Sequence, residues 1–207
     1  MALVKYNNNS ISAITAASGL TAGAMTLIKS QTASSSATIS FVDGTSDVVL
    51  DSTYPIYKFV WINAHPSASG EQLSFQGNAA GGSGYNETIT SSFFRAVHLE
   101  DGSDQTLAYV TGSDLAQATG FQPLTQEIKN DADSSASGEL WLFNPSSTTF
   151  VKHFMSSNNI MHTDPQSSYH AVAGYFNTTS AIDEIQFKMS SGNIDAGTFK
   201  LYGIKDS

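Results

Sequence analysis

From Ala24 onward, apolar and polar positions alternate with a period of two, the spacing of strands that bury one face. Met25–Lys29 and Ala37–Val42 alternate in this way, and with the Gln31–Ser36 stretch between them read as a loop, they predict an antiparallel hairpin. Asp43-Gly44-Thr45-Ser46-Asp47 is a turn cluster. Ile56–Ile62, bounded by Pro55 and Pro66, and Gln72–Gln76 predict two more strands, and Gly81–Gly84 predicts a loop. Glu87–Leu99 alternates partially and predicts a strand with a bulge or bend. Asp114–Ala118 predicts one helical turn ended by Gly120. Phe121–Ile128 predicts a strand, placed at an edge or bulge by Pro123, which cannot donate to a ladder.

The last third is clearer. Gly138–Phe143, the turn Asn144-Pro145-Ser146-Ser147 and Thr148–Met155 predict strand, turn, strand. Tyr169–Phe176, Ile182–Met189 and Thr198–Ile204 complete a set of about ten strands. No strand–helix–strand alternation and no strict repeat appear, so the expected class is all-β: an antiparallel sandwich or jelly roll, not a propeller or β-helix.

Residues 1–23 break the pattern. They are rich in Asn, Ser, Ala and Gly, and Ser10 could cap a two-turn helix carrying Ile11 and Ile14, closed by Gly19. A helix that short is unstable alone. Two readings stand: a floppy terminus, or an attachment arm anchored by Leu3, Val4, Tyr6, Ile11 and Ile14 that orders on a partner. The expected division is an arm over 1–23 and a sandwich domain over 24–207.

Composition narrows the function. Lys and Arg total 9 against 18 Asp and Glu, and the cations are scattered singly, which argues against nucleic acid and anionic membranes as partners. Charged residues are 13%, about half the usual share, while Ser and Thr make up about a quarter of the chain. The surface is therefore solvated mostly by hydroxyls and amides. The absence of cysteine excludes disulfides, thiolate metal sites and cysteine nucleophiles. No apolar leader follows Met1 and no run is long enough to span a membrane, so no signal peptide is expected.

Candidate chemistry is sparse. His65, His98, His153, His162 and His170 lack the close spacing of a metal motif. The candidate carboxylates are Glu71, Glu87, Glu100, Asp101, Asp104, Glu127, Glu139, Asp183 and Glu184, and no pair is singled out. Asp131-Ala132-Asp133 begins an oxygen-rich loop but lacks the later Gly and Glu of an EF-hand. There is no nucleophile elbow, phosphate loop or dinucleotide fingerprint. No cofactor is expected. Trp61 and Trp141 both read as core, while Tyr85, beside the glycine-rich loop, and Tyr109 are the candidates for a glycan-stacking platform.

The C-terminal stretch carries a resemblance. Ile182-Asp183-Glu184-Ile185-Gln186-Phe187, the turn Gly192-Asn193 and the strand Gly197-Thr198-Phe199-Lys200-Leu201-Tyr202-Gly203-Ile204 resemble the closing strands of small virion proteins of tailed, marine-type bacteriophages. Ala37–Phe41 and Ser83-Gly84-Tyr85-Asn86 are similar to a first strand and a glycine-rich loop of that group, so the resemblance covers roughly 24–207. It implies a non-enzymatic β-sandwich on the exterior of a phage particle, made in the host cytoplasm, tail- or fibre-associated or decorating the capsid. The implied partners are other virion proteins and copies of itself, with a trimer favoured. The alternative from another class is a carbohydrate-binding module for host-surface glycan, and a weaker one is a glycan-cleaving enzyme. Exposed aromatics around a groove would favour the binding module, two convergent carboxylates the enzyme, and a large, flat apolar face contacting copies of itself the structural role.

Overall fold

The computed structural model describes residues 24–205. They form twelve strands: β1 (Met25–Ser36), β2 (Ile39–Val42), β3 (Ile56–Pro66), β4 (Leu73–Ala79), β5 (Ile89–Leu99), β6 (Gln105–Tyr109), β7 (Gln122–Pro123), β8 (Ala136–Phe143), β9 (Lys152–Met161), β10 (Gln166–Phe176), β11 (Ile182–Met189) and β12 (Ile194–Ile204). An eight-stranded sheet runs β1-β12-β3-β8-β9-β10-β5-β6, and a four-stranded sheet runs β2-β11-β4-β7. Every pairing is antiparallel. The chain is an all-β sandwich, as the alternation predicts.

Several local expectations are corrected. β1 and β2 are not a hairpin: the strand begun at Met25 continues, past an irregularity between Leu27 and Lys29, through Gln31 and the buried Ala33, and the two strands lie in different sheets. Ser35, at φ 47°, lies just before the crossing between sheets. β1 then pairs with β12, and β2 with β11, so the two ends of the sandwich domain close on each other. β5 runs in unbroken register with β10, without the expected bulge. The segment Asp114–Ala118 is not helical; it is a turn region in which Ala118 exchanges backbone hydrogen bonds with Ile89. Of Phe121–Ile128 only Gln122 and Pro123 form a strand, at the edge of the four-stranded sheet as Pro123 suggests, and the rest is irregular. β6 has no counterpart among the predicted strands. The expected arm, with Leu3, Val4, Tyr6, Ile11 and Ile14, lies outside the described residues.

The core sits between the sheets, and period two built it. Phe59 and Trp61 of β3, Phe75 of β4, Phe154 of β9, Phe176 of β10, Phe187 of β11 and Phe199 of β12 all point inward and are fully buried. Phe187 is the hub, with ring centroids 5.6 Å from Phe59 and Phe199 and 6.0 Å from Trp61. Phe75 packs edge-on against Phe154 at 5.0 Å. Burying each such side chain contributes about 1.5–3 kcal/mol, with roughly 0.5–1.5 more for a well-oriented aromatic pair. Two glycines behave as their positions require. Gly192 turns the chain from β11 to β12 at φ +65°, and a Cβ on Gly203 would stand 2.4 Å from the Tyr54 ring packed over it.

Four strands cannot cover eight. The irregular segment 110–135 completes the second layer over the far half of the large sheet. There the inner face turns polar. Asn158 Nδ2 donates to Leu124 O at 2.9 Å, and Arg95 donates to Gln126 Oε1 at 2.8 Å. His170 Nε2 meets Ser168 Oγ at 3.0 Å, out of solvent. Burial, with the charges of His162 and Arg95, depresses the His170 imidazole to about 3, so it is neutral at ordinary pH. Lys152 is fully buried and spends its ammonium on the carbonyls of Phe150 and Thr178, and burial lowers its pKa.

Candidate functional site

Each sheet also has an outer face, and the two differ. On the four-stranded sheet, Ser74, Gln76 and Asn78 of β4 point outward yet are buried. The loops around 80–88 and 117–121 lie over them. Gln76 Nε2 donates to the carbonyls of Glu87 and Gly120 at 3.0 and 2.9 Å, and Glu87 Oε1 accepts from Ala79 N at 3.0 Å. Phe121 packs beside Tyr85, and the Lys188 ammonium sits 4.1 Å from the Phe121 ring centre.

The outer face of the eight-stranded sheet has no such cover among the described residues. Nine large hydrophobic residues are exposed there or elsewhere on the described chain. Strand register puts eight of them on this one face: Met25 and Leu27 at its β1 edge, Ile62 on β3, Met155 on β9, Tyr169 on β10, Phe94 on β5, and Leu107 and Tyr109 on β6. The ninth, Phe150, is in the β8–β9 loop. Monomers scatter such residues singly; a contiguous set marks an interaction surface.

The face is also shaped. At its centre the cross-strand neighbours are small: Ser157 on β9, Ala171 and Ala173 on β10, Ser92 on β5. Large residues stand around them: Trp141 and Phe143 on β8, Met155, Tyr169 and Phe94. Small floor and large walls leave a depression of about 430 Å³. It is continuous at one end with a second along His153 and Tyr175, and at the other with a third along Val60, Ile62 and Asn159. The result is a groove crossing five strands.

One ion pair lies at its wall. Lys58 Nζ is 2.6 Å from Glu139 Oε2 and 4.5 Å from the Trp141 ring centre, while Trp141 Nε1 donates to Glu139 Oε1 at 2.9 Å. Burial would raise the Glu139 carboxyl; hydrogen bonds from Lys58 and Trp141 overcome that and hold it below its ordinary value. Glu139 is therefore ionised and neutralised in place. It is the one carboxylate lining the central depression among the described residues, so no second carboxylate converges on it.

The sequence candidates fare unevenly. Trp61 is core, but Trp141 is not: it lies one strand position out of phase with the inward-facing Leu140 and Leu142 and forms a wall of the outer groove. Tyr109 lies on this face, edge-on to Phe94 at 5.1 Å, with its hydroxyl donating to Asp114 at 2.5 Å, a contact that raises its pKa. Tyr85 is on the opposite side of the sandwich, where burial first and then Glu184 raise its pKa. The two tyrosines do not form one platform. Asp131 is taken by Lys129 at 2.8 Å. No group of three or more His, Asp or Glu among the described residues could hold a metal ion. Comparison with family models, curated proteins and solved structures gives no match for this chain.

Proposed function

We propose that the chain is a non-enzymatic structural protein of a tailed-bacteriophage virion, tail- or fibre-associated or decorating the capsid, and that the outer face of its eight-stranded sheet is where it packs against its neighbours. The observation that carries the packing role is the gathering of exposed apolar side chains on one face of an otherwise hydroxyl-rich, weakly charged sandwich. Such a face joins protein to protein with little charge to desolvate, since its central ion pair is already formed. The phage context rests on the sequence resemblance of the closing strands. Mass spectrometry of purified particles is the test: the protein should be present at fixed copy number, and cryo-electron microscopy should show the sheet face against another chain. Particles without it, or a sheet face open to solvent on the particle, would overturn the reading.

A second reading has its own support. Trp141, Phe94 and Tyr169 around a groove are the feature expected of a glycan-binding module. Against it, Met155, Leu27, Ile62 and Leu107 offer no hydroxyl-directed hydrogen bonds, and the one charged acceptor in the depression is held by Lys58 and Trp141. Glycan-array binding abolished by Trp141→Ala would establish this reading in place of the first.

A further inference from the structure

Resting on the structural reading above, we infer that the groove on the eight-stranded sheet is filled by residues 1–23 of a second copy of this chain. Three observations converge. The described chain begins at Ala24, immediately before β1, and β1 is the edge strand of the very sheet that bears the groove. The preceding segment thus leaves from the rim of the face. Met25 pairs with Ile204, at the end of β12, so the chain exits past the end of the sheet, while the groove floor lies at mid-strand on β9 and β10. The start of β1 thus lies away from its own groove floor, with β12, β3 and β8 between it and β9. The segment's reach is ample: 23 residues span up to roughly 75 Å when extended, and the groove crosses five strands, about 19 Å.

Chemistry agrees with geometry. Residues 1–23 contain Leu3, Val4, Tyr6, Ile11, Ile14 and small residues, a set sized for a floor of Ala171 and Ala173 between walls of Trp141 and Phe94. The segment holds Lys5 and no acidic residue, on a chain of net charge -9. It is therefore a stretch that a second copy does not repel, whereas two sheet faces brought together would set two like-charged domains against each other. Arm into groove is a heterologous contact, which closes into a ring when the rotation allows and so accommodates a trimer.

The absence of cysteine makes the test clean. Two full-length variants are made, Ile14→Cys and Ala173→Cys, together with the double variant. Mixed one to one and oxidised, the two single variants should give a disulfide-linked dimer containing one of each, and the double variant should give linked species no larger than the native oligomer. A double variant that links only within one chain would overturn the inference in favour of a self-strap. Linkage of Ala173→Cys to itself, with none to Ile14→Cys, would overturn it in favour of face-to-face pairing. Should either cysteine perturb folding, Ala171→Arg is the second variant: it should convert the oligomer to folded monomer by light scattering, and an unchanged oligomer would contradict the proposal. Failure here with the protein still present in particles removes the arm and leaves the virion reading. Successful linkage with no protein in particles does the reverse.

Discussion

The two sheets of this sandwich solve the same problem in different ways. A sheet buries one face in the core and must do something with the other. The four-stranded sheet covers the outer side of β4 with the chain's own loops, tied down through Gln76 and Glu87. Among the described residues, the eight-stranded sheet leaves its outer side bare and apolar. The covered side is polar, with Ser74, Gln76 and Asn78 at the outward positions, and Gln76 is satisfied by backbone groups of the chain's own loops. The other side carries exposed apolar residues, on which the proposed packing role rests. The contrast separates what folds the domain from what the domain does.

The sharpest way to break that contrast is to compare the two tryptophans. Trp61→Ala, in the core beside Phe187, should cost about 3–5 kcal/mol in urea unfolding. Trp141→Ala, on the outer face, should cost about 1 kcal/mol, through lost packing and the Lys58 contact. Equal losses would mean that the outer face is part of the fold and not a docking surface.

Acid should weaken the polar half of the inner face next. The His170 pKa falls from 6.5 in the unfolded chain to about 3 in the fold. Between those values the unfolded state binds the extra proton, so stability falls as pH drops below about 6.5. By pH 5 the loss should be about 2 kcal/mol. His170→Gln should flatten this limb of the stability–pH curve; an unchanged limb would show that other groups carry it.

The cover of the small sheet should yield by a similar or smaller amount. Gln76→Ala removes the donors that reach Glu87 O and Gly120 O and should cost about 1–3 kcal/mol. Amide exchange in the loop 80–88 should quicken while the outer face of the large sheet is unaffected. The smallest effect on stability belongs to that face: Tyr169→Ser should change the unfolding free energy by roughly 0.5 kcal/mol or less, yet weaken assembly measured by light scattering.

The sandwich was legible because alternation survives wherever a strand has one buried face, as in Ile56–Ile62 and Ile182–Met189. Pairing was not legible. β1 and β2 are adjacent in sequence and alternate alike, but their partners, β12 and β11, lie far along the chain, and nothing local encodes that choice. The segment 110–135 failed for another reason: its apolar residues, Leu124 and Ile128, are buried without a regular ladder, so periodicity carries no signal there. The groove was hidden by ambiguity of face. Leu140, Trp141, Leu142 and Phe143 are all apolar, and such a run does not say which side meets the core. Register with β3 and β9 decides it.

The central claim is that the bare face of the eight-stranded sheet is occupied when the protein does its work. Hydroxyl-radical footprinting read by mass spectrometry measures this at Met155 and Tyr169 directly, in the dilute isolated protein and in assembled particles. The account predicts ready oxidation of both in the dilute protein and strong protection in the particle, with the loop residue Phe150 as the exposed internal reference. Equal oxidation of Met155 and Tyr169 in the two states would contradict it.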